Sequence, residues 1–238
     1  MQVLIVLAHP EPASFNAALA TTAAEALRAA GHGVTVSDLY AEGFDPVAGR
    51  HDFTTTADPD VFHYQSEQAL AARAGGFASD LAREQARLRA ADLVIFQFPL
   101  WWGGVPAILK GWFERVLAYG VGYADGLRFE NGVFAGRRAL LSVTTGGTPE
   151  RFSEAGVYGP IEQVLRQAQR LTLEYMGFDV APPFVSHAVP RIGAEARADL
   201  LTAFRARVLD LAAQPVDRSR AIAAPLDHVS EGAWARKV

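Results

Sequence analysis

Three short segments of this sequence combine polar, aromatic and glycine residues in patterns that could bind a ligand. The first is HPEPASFN, which begins at His9 and contains no glycine-rich phosphate motif. Ser14 directly precedes a helix-forming stretch, so it could cap a helix whose free N–H groups bind an anion. His9, Ser14 and Asn16 would add side-chain donors to that anion site. The alternative is that Ser14 only caps the helix and that His9 and Pro10 only turn the chain.

The second segment, PLWWGGVP, places two adjacent tryptophans after an apolar run. Neighbouring side chains of a strand face opposite sides of the sheet, so Trp101 and Trp102 cannot both enter one core. One ring could therefore offer a flat wall to an aromatic ligand, and Gly103 would allow close approach of the backbone. The alternative is that both rings cover the end of the sheet or lie in an interface between subunits.

The third segment is TTGGT, from Thr144 to Thr148. Its successive backbone N–H groups could bind an anion or a carbonyl oxygen, although the same residues also form common turns. An anion site, an aromatic wall and a row of N–H donors together suit a flavin. An aromatic nucleotide of another kind is the alternative ligand.

The elements that must position these segments follow a repeating order of apolar strand, loop and helix. The pattern predicts strands over 3–8, 34–39, 93–98, 138–144 and 178–185, and helices over 14–30, 77–90, 105–117, 161–176 and 195–213. This order is typical of an α/β fold with a doubly wound, five-stranded parallel sheet and helices on both faces. Ligands bind beyond the carboxyl ends of the strands in such sheets, so the three segments should meet at one edge.

Two regions interrupt that rhythm. Residues 40–76 mix aspartate, threonine, proline and aromatic residues, which predicts a long loop excursion before the helix at 77–90. Residues 214–238 show little periodicity and are predicted to form a tail or a packed arm. We therefore expect one domain over residues 1–213, followed by this C-terminal segment.

Composition excludes several classes of protein. Half of the 238 residues are hydrophobic and the net charge is −4, so we expect neither a disordered chain nor a basic surface for nucleic acid. The sequence has no cysteine, which excludes a thiolate nucleophile and an Fe–S cluster. Its histidines lack metal-binding spacing, so no metal site is predicted. The apolar runs are too short or too interrupted for a membrane span, and we expect a cytoplasmic location.

Two longer stretches carry a family resemblance. They are LVIFQFPLWW, from Leu93 to Trp102, and VPAILKGWFERV, from Val105 to Val116. Together with the segments at His9 and Thr144, they strongly resemble the NAD(P)H:quinone oxidoreductases, the DT-diaphorase family. The resemblance implies a flavodoxin-like fold, FAD rather than FMN as cofactor, and a homodimer with active sites at the subunit interface. It also implies two-electron reduction of quinones by NAD(P)H in a ping-pong cycle.

The resemblance further implies a set of site residues. Flavin contacts would come from His9, Phe15, Asn16, Leu100, Trp101, Trp102, Gly103, Thr144, Thr145, Gly146 and Gly147. Arg197 matches a family position near the adenosine half of FAD, although it could equally be a cation on a helix surface. The substrate side would be lined, across the dimer, by Gly122, Tyr123 and Ala124.

Two positions depart from the animal members of the family. Those enzymes carry a tyrosine and a histidine where this chain has Phe152 and Tyr158. Phe152 cannot donate a hydrogen bond, so we predict it only as a substrate contact. Tyr158 can donate one, although a tyrosine is not a cation at neutral pH. We therefore predict Tyr158 as the catalytic donor to the reduced flavin.

The sequence thus predicts an NAD(P)H:quinone oxidoreductase that uses FAD. One alternative is a flavin-binding regulatory or electron-transfer subunit, for example one ancillary to a potassium-efflux system. Another alternative is an azo- or nitro-reductase, which would share the mechanism and differ in its acceptor.

Overall fold

A five-stranded sheet forms the centre of the molecule. The computed structural model describes residues 1–222 and 224–230. The strands are β1 (Gln2–Leu7), β2 (Gly33–Asp38), β3 (Leu93–Pro99), β4 (Arg138–Thr144) and β5 (Asp179–Ser186). Their order is β2-β1-β3-β4-β5 and every pairing among them is parallel. This arrangement confirms the predicted flavodoxin-like fold class.

Helices follow the strands as the sequence pattern requires. Their bounds in the described part of the chain are Phe15–Ala29 (α1), Tyr64–Ala74 (α2), Ser79–Ala90 (α3), Ala107–Val116 (α4), Ile161–Val164 (α5), Arg166–Ala168 (α6) and Ala194–Ala213 (α7). α1 and α7 pack together on one face of the sheet, where Val3 and Ile5 of β1 are buried. The other face is covered by α2, α3 and α4, against Leu4 and Val6. Alternate residues of β1 therefore enter two separate cores. None of the described helices is long and apolar enough to span a membrane.

Helix α2 lies inside the stretch that the sequence predicts as a loop excursion. It begins after His63, whose imidazole Nδ1 accepts a hydrogen bond from the Ser66 N–H at 3.3 Å. Histidine is not one of the residues that usually cap a helix, so the start of α2 carries no common sequence signal. The helix ends at Gly75, which adopts the left-handed conformation with φ 69°.

The stretch predicted as one helix over 161–176 is divided. α5 and α6 are followed by a π-helical segment, Gln169–Glu174. Within it, the Thr172 hydroxyl donates to the Gln167 carbonyl, five residues earlier, at 3.0 Å. A hydroxyl that competes for a backbone carbonyl distorts a helix, which explains the irregular winding. Leu173 remains fully buried, so the segment still packs against the sheet.

The chain continues beyond α7 as an arm, formed by residues 214–222 and 224–230. We call this segment the C-terminal arm. The Arg218 Nε lies 2.5 Å from Asp92 Oδ1, and Arg73 Nη2 donates to the Val229 carbonyl at 3.0 Å. Val229 is buried against the core. The arm thus packs back on the domain, while residue 223 and residues 231–238 of the predicted tail lie outside the described residues.

Candidate functional site

A buried chain of hydrogen bonds joins the first and third predicted ligand segments to β3, which leads into the second segment. Gln97 of β3 donates through Nε2 to the side-chain oxygen of Asn16 at 2.8 Å. Asn16, in the first turn of α1, donates through Nδ2 to Thr144 Oγ1 at 2.9 Å. Asn16 is only 3% exposed, so its side chain braces the loops against one another. Its contact with a flavin stays a prediction.

The first segment makes a tight turn into α1. The Ser14 hydroxyl oxygen accepts a hydrogen bond from the Ala17 N–H at 3.2 Å, which is the capping role. The Nδ1 atom of His9 accepts a backbone N–H from two residues ahead at 3.0 Å and steadies the turn. The N–H groups of Phe15 and Asn16 make no hydrogen bond within the described part of the chain. They are the donors that this helix offers to an anion.

The second segment is a narrow turn that exposes both tryptophans. Trp101 and Gly104 exchange backbone hydrogen bonds of 3.1 and 3.0 Å, and Trp102 takes a left-handed φ of 51°. A bulky residue in that conformation costs about 1–3 kcal/mol, and such strain concentrates at functional sites. Trp101 is 42% exposed and Trp102 is 106% exposed. Neither ring enters the core of this chain, so both are available to a ligand or to a second subunit.

The third segment closes on itself and leaves two donors open. Thr145 donates through Oγ1 to the Gly147 carbonyl at 2.8 Å, and its N–H bonds the Ser186 carbonyl at 2.9 Å. The N–H groups of Gly146 and Gly147 have no acceptor among the described residues. A Cβ on Gly147 would lie 2.7 Å from Cε2 of Phe152, so the ring packs directly on this glycine.

A cavity of about 580 Å³ opens between the second and third segments. It is lined by Leu100, Trp102, Gly103, Thr145, Gly146, Gly147, Arg151, Phe152, Tyr158, Val164 and Arg191. Its position beyond the carboxyl ends of β3 and β4 is where open α/β sheets bind ligands, and its size is ordinary for a small-molecule site. Aromatic walls, two free backbone donors and two guanidinium groups suit a flat ring that carries negative charge, so these residues fit a flavin.

Comparison with known proteins places this chain in a family. A family model described as flavodoxin-like fold matches residues 1–212. The chain is 42% identical over 208 residues to NAD(P)H dehydrogenase (quinone) 1 of Cavia porcellus, covering 87% of this chain and 76% of that protein. It is 45% identical over 208 residues to the ribosyldihydronicotinamide dehydrogenase (quinone) of Homo sapiens, covering 87% and 90%. The chain belongs to the NAD(P)H:quinone oxidoreductase family.

A solved structure agrees with this assignment. A crystal structure of a candidate quinone reductase from Klebsiella pneumoniae superimposes on this family member with a TM-score of 0.84 at 39% identity, covering 91% of this chain and 86% of that one. An NAD(P)H:quinone oxidoreductase from Methanothermobacter marburgensis superimposes with a TM-score of 0.67 at 26% identity, covering 91% and 98%. The family resemblance predicted from the sequence is thereby confirmed.

One wall of the cavity in this family member is an aromatic cluster. The ring centroids of Phe152 and Tyr158 lie 5.1 Å apart, and that of His187 lies 5.6 Å from Phe152. His187 Nδ1 is 3.4 Å from Thr145 Oγ1. Burial lowers the pKa of His187, although its contact with the Gly147 backbone opposes that change. His187 therefore stands behind the wall as a neutral support at pH 7.

Several of the predicted flavin contacts do not line the cavity. These are His9, Ser14, Phe15, Asn16, Trp101 and Thr144. Trp101 packs 6.2 Å from the His9 ring, and Thr144 accepts the hydrogen bond from Asn16. The contacts of these residues with a ligand stay predictions.

Two groups of predicted residues lie away from the cavity of their own chain. Gly122, Tyr123 and Ala124 belong to the loop after α4, where the Tyr123 ring packs 5.4 Å from Tyr119. Arg197 lies in the first turn of α7 and donates through Nη2 to the Val189 carbonyl at 3.0 Å. A substrate role for the loop requires a second subunit, and that role and the adenosine contact of Arg197 stay predictions.

Sequence reasoning missed four residues of this region. Gln97 is a polar residue in an otherwise apolar strand, and that break in the pattern was a usable signal. Arg151 and Arg191 line the cavity, and His187 supports it. Cations and histidines are common on loops, so nothing local to the sequence distinguishes these three.

Proposed function

We propose that this protein is a flavin-dependent NAD(P)H:quinone oxidoreductase that moves a hydride from NAD(P)H to a quinone in two half-reactions. The observation that carries the proposal is the cavity in which Trp102, Phe152 and Tyr158 stand beside the open N–H groups of Gly146 and Gly147. In the proposed cycle, one flat substrate at a time occupies this cavity of about 580 Å³ beside the cofactor. Donor and acceptor would then use it in turn, which is the ping-pong order.

Different residues in and near the cavity would bind different parts of the cofactor. A bound flavin would supply the redox chemistry, since it can take a hydride from a nicotinamide and pass it to a quinone. The N–H groups of Gly146 and Gly147 would hold a ring oxygen and stabilise the negative charge of the reduced ring. The N–H groups of Phe15 and Asn16 would bind a phosphate at the start of α1.

Tyr158 is the side chain that we propose as the catalytic hydrogen-bond donor. Its ring lies beside Gly147 at the cavity, and half of the residue is exposed. A tyrosine side chain carries an O–H donor, so it can donate to charge that develops on the reduced ring. Phe152 has no donor and would serve as a contact surface for the substrate.

We further propose FAD rather than FMN as the cofactor. Arg197 supports this choice, because its buried Nε has no acceptor among the described residues. A guanidinium with a free donor can bond or stack on an adenine ring, which only FAD carries. Heat release of the cofactor followed by chromatography tests the proposal, and FMN as the only released flavin would refute it.

The proposed assembly is a homodimer. The loop that contains Tyr123 lies away from its own cavity, and Trp101 and Trp102 expose large aromatic surfaces that a partner could cover. Ultracentrifugation should show about twice the 25.6 kDa mass of the chain. A monomer with full quinone turnover would contradict this. The cytoplasmic location likewise stays a prediction.

Anaerobic spectroscopy followed by steady-state kinetics tests the function. The flavin absorbance should bleach on addition of NADH or NADPH and return on addition of a quinone. Ribosyldihydronicotinamide belongs in the same donor series, because one relative is named for it. A flavin that bleaches but is not reoxidised by any quinone would identify a regulatory or electron-transfer subunit. Faster turnover with azo or nitro aromatics than with quinones would identify a reductase of those groups.

A further inference from the structure

A second cavity, of about 710 Å³, lies beneath the C-terminal arm. Its lining includes Arg89, which precedes β3, and Arg137, which precedes β4, so it adjoins the amino ends of the strands. No described residue lines both this cavity and the candidate functional site. Its apolar walls are Ala71, Phe77, Val121, Val133, Phe134, Ile222 and Leu226.

Two side chains that line this cavity carry a buried donor without an acceptor. Gln85 is 1% exposed, and its Nε2 has no partner in the described part of the chain. The buried Nε of Arg137 also lacks one, although its Nη1 donates to the Arg89 carbonyl at 2.9 Å. A buried donor without an acceptor costs about 1–3 kcal/mol. An acceptor group bound in this cavity would remove that cost.

Positive charge prevails around these donors. Within the described residues, neither Arg89 nor Arg137 forms an ion pair, whereas Arg218 is neutralised by Asp92 at 2.5 Å. Asp227 is the one carboxylate among the described lining residues. Partial burial lowers the pKa of the Arg89 guanidinium, an effect that a bound anion would oppose.

We propose that this cavity is a second ligand site and that it binds an aromatic carboxylate. The ring would lie among Phe77, Val121 and Phe134, and the carboxylate would accept hydrogen bonds from Gln85 and Arg137. Arg89 adds the charge that selects an anion over a neutral molecule of the same shape. A mostly apolar cavity with a few convergent polar groups is the usual build of a small-molecule site.

The C-terminal arm forms the roof of this site. Ile222 and Leu226 line the cavity, and the arm is held by the Arg218–Asp92 pair and by the Arg73 bond to the Val229 carbonyl. A ligand that packs under the arm stabilises it in place. Trypsin cleavage after Arg218 and Arg220 should therefore slow when the site is filled.

Calorimetry with 1-naphthoate and the flavin-loaded protein tests the proposal. Replacing Arg89, which lies on the exposed side of α3, by Gln should weaken binding about tenfold, and neutral 1-naphthamide should bind about tenfold more weakly than 1-naphthoate. Gln85→Leu should weaken 1-naphthoate binding by a similar factor. Arg83→Gln is the matched control, because Arg83 lies on the same helix outside the cavity. Its affinity should equal that of the wild type.

Three outcomes would overturn the proposal. The first is no binding of 1-naphthoate at millimolar concentration. The second is equal affinity in wild type and Arg89→Gln, which would place the ligand at the candidate functional site or elsewhere. The third is binding that leaves tryptic cleavage of the arm unchanged. Because Arg89→Gln alters a surface side chain, the test does not depend on the folding of Gln85→Leu.

Discussion

The Asp52 cluster, in the excursion over residues 40–76, and the candidate functional site are both rich in polar groups, but their hydrogen bonding differs. In the excursion, the Asp52 carboxylate accepts bonds from Arg115 Nε at 2.9 Å and Nη2 at 2.7 Å, and from the Tyr64 hydroxyl at 2.5 Å. At the site, the N–H groups of Gly146 and Gly147 have no acceptor within the described chain. The Asp52 carboxylate is thus hydrogen-bonded within the chain, whereas the two glycine N–H groups remain free to bind a ligand.

This difference separates structural from functional polar residues. Asp52 is 0% exposed and Arg115 is 1% exposed, and buried charges are tolerated only as a fully hydrogen-bonded pair. Burial, followed by the bond to Asp52, raises the pKa of Tyr64, which therefore remains a donor. Such a network leaves nothing for a ligand, whereas donors that stay open at a cavity invite one.

Removing one partner from the closed cluster should have the largest effect. Arg115→Leu leaves the Asp52 charge buried without its cation, and the free energy of unfolding should fall by about 3–5 kcal/mol. Urea denaturation measures this loss. Lys110→Met on the same helix removes an exposed pair with Glu114 and should change stability by less than about 1 kcal/mol. Equal losses in both variants would contradict the structural role of the Asp52–Arg115 pair.

The second largest effect is expected from loss of the hydrogen bonds that link Gln97, Asn16 and Thr144. Asn16→Ala strands the Gln97 amide and the Thr144 hydroxyl, which should cost about 1–3 kcal/mol of stability. Flavin affinity should fall with it, because the three loops lose their common anchor. Titration of the flavin-free protein reports that affinity. The exposed Asn131→Ala serves as the control, and a matching loss of flavin affinity there would contradict the role of Asn16.

Adjacent glycines of the third segment sharpen the comparison. Gly147→Ala places a methyl group 2.7 Å from Phe152, so the ring must move and kcat/KM for a quinone should fall about tenfold. Gly146→Ala meets nothing within 4 Å in the described chain and should change kcat/KM far less. Steady-state kinetics of both variants would settle the point. A larger loss in Gly146→Ala would mean that ligand contact, not the Phe152 wall, limits this position.

Tyr158→Phe should slow flavin reduction by NAD(P)H by less than about tenfold. Loss of one donor to a developing charge costs about 3 kcal/mol in strong cases, and the backbone donors of Gly146 and Gly147 remain here. Stopped-flow absorbance measures the step directly. An unchanged rate would show that Tyr158 only shapes the wall.

The smallest effect is expected from His187, which packs against Phe152 in the wall of the cavity. Because burial lowers the folded-state pKa of His187, the unfolded chain binds more protons at mildly acidic pH. Stability should therefore be full above the unfolded pKa of about 6.5 and decline as the pH falls from there toward the lower folded value. His187→Gln should flatten this part of the profile. An identical pH profile in the variant would assign the slope to another group.

Sequence reasoning identified the segments around the candidate cavity better than it identified the hydrogen-bond network that supports the fold. The three segments were identifiable because glycines, tryptophans and a helix cap mark loop ends wherever they occur. The Asp52–Arg115 pair was not identifiable, because its members are separated by 63 positions and an aspartate in a polar stretch looks solvated. Helix α2 was missed for a local reason, namely that an imidazole replaces the usual cap.

The sequence by itself determined the order of the five strands along the chain, most of the helices between them, the edge of the sheet at which the three segments meet, and the family. Apolar periodicity and loop chemistry are local properties, so they can be read without coordinates. Only the tertiary structure decided which polar groups are hydrogen-bonded within the chain and which remain free for a ligand. The hydrogen bonds among Gln97, Asn16 and Thr144, for example, join residues from three distant parts of the sequence. It also decided that His187 supports Phe152 and that Gln85 and Arg137 share a cavity, because long-range packing brings these pairs together.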